Sequence, residues 1–248
     1  MKAIKLLIAT AAAAALSAPL AAQPPGKVKN IVLVHGAFAD GSGWQAVADI
    51  LTKDGYSVSI VQPPETSLDD DIAATNRVLD GLDGPAVLVG HSYGGMIITG
   101  AGNNAKVASL VYVAAFQPDT GESLGSLQAK TPPASNAIRP TKDGFLYLDL
   151  GLFHADFAAD LPAATAAFMS KSQVYLSVKS ATGAATNPAW KTKPSFGIVA
   201  TKDRAINPDL ERFMYKRSGA QTVEIDASHV VYISQPAKVA AVIEKAAQ

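Results

Sequence analysis

The 248-residue sequence contains no cysteine. Disulfides, thiolate metal sites, a cysteine nucleophile and a lipid-modified amino-terminal cysteine are thereby excluded, and the fold must be held by its core alone. Charge is scarce and balanced: 21 basic residues face 21 acidic ones, and charged residues make up 17% of the chain. With no basic block and no stripe of bases interleaved with aromatics, nothing points to nucleic acid as a partner. The expected ligand is small and not strongly charged.

Long apolar runs are scarce too: the one near the beginning is short and Ala-rich, which makes an uncleaved membrane anchor the lesser alternative there. The beginning, "MKAIKLLIATAAAAALSAPLAAQPPGK", joins Lys2 and Lys5 to a short, Ala-rich apolar stretch that ends in small residues and a Pro-Pro break. That is the layout of a secretory signal peptide over residues 1–22, with cleavage expected after Ala22 although Leu20 makes the small-residue pattern imperfect. Its removal takes away two lysines and no acid, leaving 19 bases against 21 acids in a weakly acidic protein. The expected location is the periplasm or the extracellular medium.

Apolar residues make up 48% of the sequence, enough for one domain, here residues 23–248, with a substantial core. After the Pro-Pro-Gly linker, strand-like runs alternate with helical patterns. "VKNIVLVHG", "YSVSIVQP", the run up to "VLVGHS", "KVASLVYVAAF", "SFGIVAT" and "AQTVEIDA" read as strands. Between and after them "GWQAVADILTKDG", "LDDDIAATNRVLDGL", "NPDLERFMYKRSG" and "PAKVAAVIEKAA" read as helices. Continuous apolar strands alternating with helices predict an α/β fold: a mostly parallel sheet with helices on both faces. The alternation breaks over about residues 117–190, where prolines, short helical patterns and many aromatics occur without a strand for the main sheet. Inserted between two sheet strands, this segment reads as a helical lid over the strand ends.

The motif with the sharpest chemical content is "LVGHSYGGM", residues 88–96. An apolar strand that turns abruptly into a helix forces the turning residue, Ser92, into a strained conformation with its side chain exposed. Residues two before and two after must then be glycine, as Gly90 and Gly94 are. This is a nucleophile elbow. A serine there needs a base, and in an open α/β sheet only residues at the carboxyl ends of strands, or in the lid, can reach it. Of the four histidines, His35 ends the first strand, His91 points away from Ser92 within the elbow, and His154 lies in the lid. His229 follows the last strand, where a loop can present an imidazole over the elbow. The orienting acid is assigned to Asp203, after "SFGIVAT", with Asp119 as the alternative and Asp226 less suitable. The order Ser92, Asp203, His229 is the one expected for a nucleophile on such an elbow. Attack on a carbonyl makes an oxyanion, for which the backbone N–H groups of Tyr93 and Ala37 are the expected donors, with Phe38 the weaker choice for the second. Phe38, Phe116, Phe153 and His154 are the expected pocket residues.

With HGAF, GHSYGG, ATKDRAINPD and SHVVYISQP in hand, the chain resembles the α/β-hydrolase superfamily over nearly all of its mature length. Within it, the likeness is to the small-lid branch of plant methyl-ester esterases, pyrethroid-type carboxylesterases and hydroxynitrile lyases. The resemblance implies a cofactor-free, metal-independent enzyme whose triad maps onto Ser92, Asp203 and His229, acting on carboxylic esters of small, largely apolar molecules. In the lyases this sequence resembles, a threonine stands where Gly36 is, and a lysine follows the catalytic histidine where this chain has Val230. Both differences favour the esterase over a hydroxynitrile or C–C lyase. A ligand receptor without hydrolytic activity is the alternative from a different class.

Overall fold

The computed structural model describes residues 28–248, so the leader expected over residues 1–22 lies outside the described residues. The chain begins β1 (Asn30–Val34), α1 (Gln45–Lys53), β2 (Ser57–Val61), α2 (Leu68–Asp80), β3 (Ala86–Ser92), α3 (Gly94–Ala101) and β4 (Val107–Ala115). An insertion follows, carrying α4 (Leu124–Lys130), β5 (Ile138–Pro140), β6 (Phe145–Leu148), α5 (Phe153–Phe157), α6 (Ala163–Ser172), β7 (Leu176–Ser177) and α7 (Val178–Thr182). The alternation resumes with β8 (Ser195–Ala200), α8 (Pro208–Ser218), β9 (Gln221–Ile225), α9 (Val231–Ser234) and α10 (Pro236–Ala246).

Six strands form one parallel sheet in the order β2-β1-β3-β4-β8-β9. Every residue of β1, β3 and β8 is buried, which requires cover on both faces and explains why these strands are apolar without alternation. Of the edge strands, β9 is largely exposed and β2 partly so, and both are correspondingly more polar. Helix ends follow from local chemistry. Ser67 caps α2 by accepting from the Asp70 N–H, and Asp69, Asp70 and Asp71 occupy the helix's positive end. Asn207 caps α8 ahead of Pro208, and Gly219 closes it in the left-handed region at φ 71°.

The insertion gives no strand to the main sheet. It builds a three-stranded antiparallel sheet of its own, β5-β6-β7, in which Ile138 pairs with Leu148 and Phe145 with Ser177. This small sheet was not expected, because strands of three, four and two residues carry no readable alternation. Backbone bonds dock it on the body: Phe38 donates to the Val174 carbonyl at 3.1 Å and Ser177 to the Glu65 carbonyl at 2.9 Å.

Candidate active site

β3 ends at Ser92, whose φ of 53° lies in the left-handed region, and α3 starts two residues later at Gly94. A branched or bulky neighbour could not accompany so tight a reversal. A Cβ at Gly90 would stand 2.5 Å from the Gly94 carbonyl oxygen. The strain of a non-glycine residue in this region, of order 1–3 kcal/mol, persists because the core on both sides leaves no alternative.

His229 sits in the short loop between β9 and α9, beside the elbow. Its ring lies 4.6 Å from that of His91 and 4.8 Å from that of Phe157, and its carbonyl accepts from His91 Nε2–H at 3.0 Å. Burial pushes the His91 imidazole well below its ordinary range, so it is a neutral donor to this loop. The preceding residue is held as well: the Ser228 N–H donates to Asp160 Oδ2 at 2.9 Å, and its hydroxyl donates to Asp160 Oδ1. Nδ1 of His229 is 2.5 Å from Asp203 Oδ2. The other carboxylate oxygen of Asp203 accepts from the N–H groups of Ala205 at 2.7 Å and Ile206 at 2.9 Å. Nε2 of His229 is buried with no hydrogen-bond partner among the described residues.

The remaining candidates go elsewhere. Asp119 is at the surface, 2.5 Å from Lys191 Nζ, and Asp226 pairs with Lys202. His35 is held between Gln62 Oε1 at 3.1 Å and the Gly36 carbonyl at 2.9 Å, its imidazole lowered by burial.

A cavity of about 200 Å³ opens on the elbow, lined by Ser92, Tyr93, Ala37 and Phe38. Its walls are mostly apolar, with Phe116, Leu124, Leu146, Leu148, Phe157 and Leu176 contributing, and Gln128, Ser135 and Asp156 add polar groups. The N–H groups of Ala37 and Tyr93 have no acceptor among the described residues, whereas that of Phe38 is taken by Val174. Phe38 is thereby removed as a donor but lines the cavity, as does Phe116. Two expected pocket residues do not line it. Phe153 is buried behind Phe157, their rings 4.9 Å apart, and His154 turns its Nε2 to the Leu161 carbonyl at 3.0 Å. Phe157, one helical turn on from Phe153, takes the place at the wall.

Two buried carboxyl groups near the site were not anticipated. Asp71 accepts the Tyr93 hydroxyl at 2.6 Å and the Glu65 N–H at 2.6 Å, tethering the elbow to α2. Glu211, on α8, is fully buried; its Oε2 accepts the Ala200 N–H at 3.2 Å and its carboxyl group is within hydrogen-bond reach of the Asp203 carboxyl. A readable signal existed for Glu211, since it shares the buried stripe of Leu210, Met214 and Tyr215.

A model of the alpha/beta hydrolase family matches residues 31–242. The chain belongs to the alpha/beta hydrolase family. Among characterised relatives it is 28% identical to a pyrethroid hydrolase of Sphingobium wenxiniae over 87% of this chain and 86% of that one. Salicylic acid-binding protein 2 of Nicotiana tabacum is 24% identical over 86% and 95% of the two chains. A carbendazim-hydrolysing esterase of Nocardioides is 36% identical, but the match spans 42% of this chain and 49% of that one, about half its length. Solved structures of similar fold include a pyrethroid hydrolase from Sphingobium faniae, with TM-score 0.75 and 23% identity, covering 89% of this chain and 97% of that one. Polyneuridine aldehyde esterase superposes with TM-score 0.76 and 18% identity over 90% of this chain and 100% of the other.

Proposed function

We propose that the protein is a serine-dependent carboxylic ester hydrolase acting on small, largely apolar esters. The observation that carries the reading is the line from Asp203 to His229 beside an elbow serine at a small apolar cavity. Asp203 accepts a hydrogen bond from His229 Nδ1–H at 2.5 Å and fixes the tautomer, which leaves Nε2 unprotonated and without a partner among the described residues. In the proposed reaction Ser92 Oγ attacks the ester carbonyl as Nε2 takes its proton. The N–H groups of Ala37 and Tyr93 hold the oxyanion, and the imidazolium returns the proton to the leaving alcohol. Water activated by the same Nε2 then releases the acid from the acyl-enzyme.

The named activities of the relatives support ester hydrolysis. So does the first strand's loop: a Cβ at Gly36 would be 2.6 Å from the Ser92 Cβ, leaving no room for the threonine of the hydroxynitrile lyases. Val230, buried after His229, offers no cation for cyanide. The leader-like start supports export, and mass spectrometry of protein from the producing cells is expected to find an N-terminus near Gln23.

A panel of aryl esters with graded acyl and alcohol groups tests the reading. Turnover that favours short apolar acyl groups is the expected result. Stoichiometric binding without turnover would instead mark a receptor.

A further inference from the structure

Glu211 is a carboxyl group enclosed in the core for which the proposed reaction has no use. Counting donors shows which of the two neighbouring acids carries the charge. Asp203 collects three, the N–H groups of Ala205 and Ile206 on one oxygen and His229 Nδ1–H on the other. Glu211 collects one, the Ala200 N–H at 3.2 Å, and its Oε1 receives none. Two buried carboxyl groups within hydrogen-bond reach cannot both ionise without a cation, and the negative charge settles where the donors are.

Among the described residues no cation is paired with Glu211. Arg212, its chain neighbour, turns outward to Asp209 at 2.7 Å and Glu224 at 2.8 Å, and Arg204 is paired with Asp156 at 2.8 Å. Tyr215 donates its hydroxyl to the Ala115 carbonyl at 2.9 Å, and Tyr112 shares its own with Thr99 at 3.0 Å. His229 is reached through Asp203. Burial, with the Asp203 charge beside it, pushes Glu211 well above the usual carboxylate range.

We infer that Glu211 is a positioning residue that keeps its proton, donates it in a hydrogen bond to Asp203, and so holds that carboxylate in line with Nδ1 of His229. One residue at the end of β8 sets both carboxyl groups: Ala200 donates its N–H to Glu211 and accepts the Asp203 N–H at 3.1 Å. A protonated Glu211, with one O–H donor and one acceptor oxygen, matches that arrangement; an ionised one would present a second negative charge to Asp203. The inference rests on the proposed triad.

Glutamine reproduces the donor and the acceptor, whereas methionine keeps the volume and has no donor. On a short-chain aryl ester, Glu211→Gln is expected to keep kcat and KM within about threefold, while Glu211→Met lowers kcat about 10- to 100-fold with KM nearly unchanged. Glu211→Gln as inactive as Glu211→Met, or Glu211→Met with wild-type kcat, overturns the inference. An infrared difference spectrum at neutral pH decides the protonation state even if the methionine variant does not fold. The wild type is expected to carry a carboxylic-acid carbonyl band that Glu211→Gln removes, and no such band means an ionised Glu211 and a failed inference. An esterase assay in which even the wild type is inactive would overturn the reading of Ser92, leaving the band to judge Glu211 by itself.

Discussion

Nδ1 of His229 and Oδ2 of Asp203 stand 2.5 Å apart with both side chains fully enclosed. The pair is separated by 26 positions in the chain and is brought together because β8 and β9 lie side by side at the end of the sheet. Asp203→Asn should preserve folding and cut kcat by about three to four orders of magnitude, as when a triad imidazole is left in the wrong tautomer. Asp119→Asn, whose partner is Lys191 at the surface, should change kcat by less than about twofold. The two substitutions alter charge and size equally, so steady-state kinetics on both separates orientation from general electrostatics.

Tyr93 contributes twice, through its free N–H at the cavity and through its hydroxyl on Asp71. Tyr93→Phe keeps the N–H and strips a buried carboxyl of a donor. The expected cost is about 1–3 kcal/mol of stability in urea unfolding, with kcat reduced by no more than about tenfold and KM unchanged.

Much of this was legible because the sheet is buried on both faces. NIVLV, AVLVGHS, VASLVYVAA and SFGIVA read as interior strands because they are apolar throughout and too short for buried helices, and the elbow glycines follow from sterics once a strand ends at Ser92. The reading of His229 as the base rests on its being the one histidine of four that follows the last strand. What sequence could not supply is pairing at a distance. Phe145 meets Ser177 through strands too short to show a period, and the stripe that buries Glu211 with Leu210, Met214 and Tyr215 does not say that it meets Asp203 until α8 is laid on the end of β8. The pocket reading of Phe153 meets the same limit: it and Phe157 lie on one five-residue helix, and only the docking of that helix decides which ring lines the cavity.

Glu65 makes the folded state sensitive to pH. Burial, reinforced by Asp71, raises its carboxyl well above the ordinary value of 4.5; among the described residues neither oxygen has a hydrogen-bond donor, and His35 Nδ1, 3.6 Å from Oε1, belongs to an imidazole that burial lowers. The unfolded chain therefore loses this proton as pH rises through 4.5 while the folded chain keeps it, so the group's contribution to stability is full below that pH and falls above it. Glu65→Gln removes this dependence. The stability of the variant relative to wild type, from denaturant unfolding, should improve above that pH by about 1.4 kcal/mol per unit until the folded-state carboxyl ionises. A difference that does not change with pH would mean an ionised Glu65.

If the proposed reaction takes place at the elbow, the cavity limits the size of the acyl group. Leu124 is on its wall. Leu124→Trp should lower kcat/KM by about tenfold or more for esters with acyl groups longer than acetyl, while leaving acetyl esters within about threefold. Equal losses on all esters would place the acyl group elsewhere.

The most direct measurement is intact-mass and peptide-mass spectrometry of enzyme quenched early in its reaction with a slowly deacylating aryl ester. One acyl group per chain, on the peptide containing Ser92 and lost together with turnover in Ser92→Ala, is the predicted result. An acyl group on another residue, or undiminished turnover in Ser92→Ala, would contradict the account.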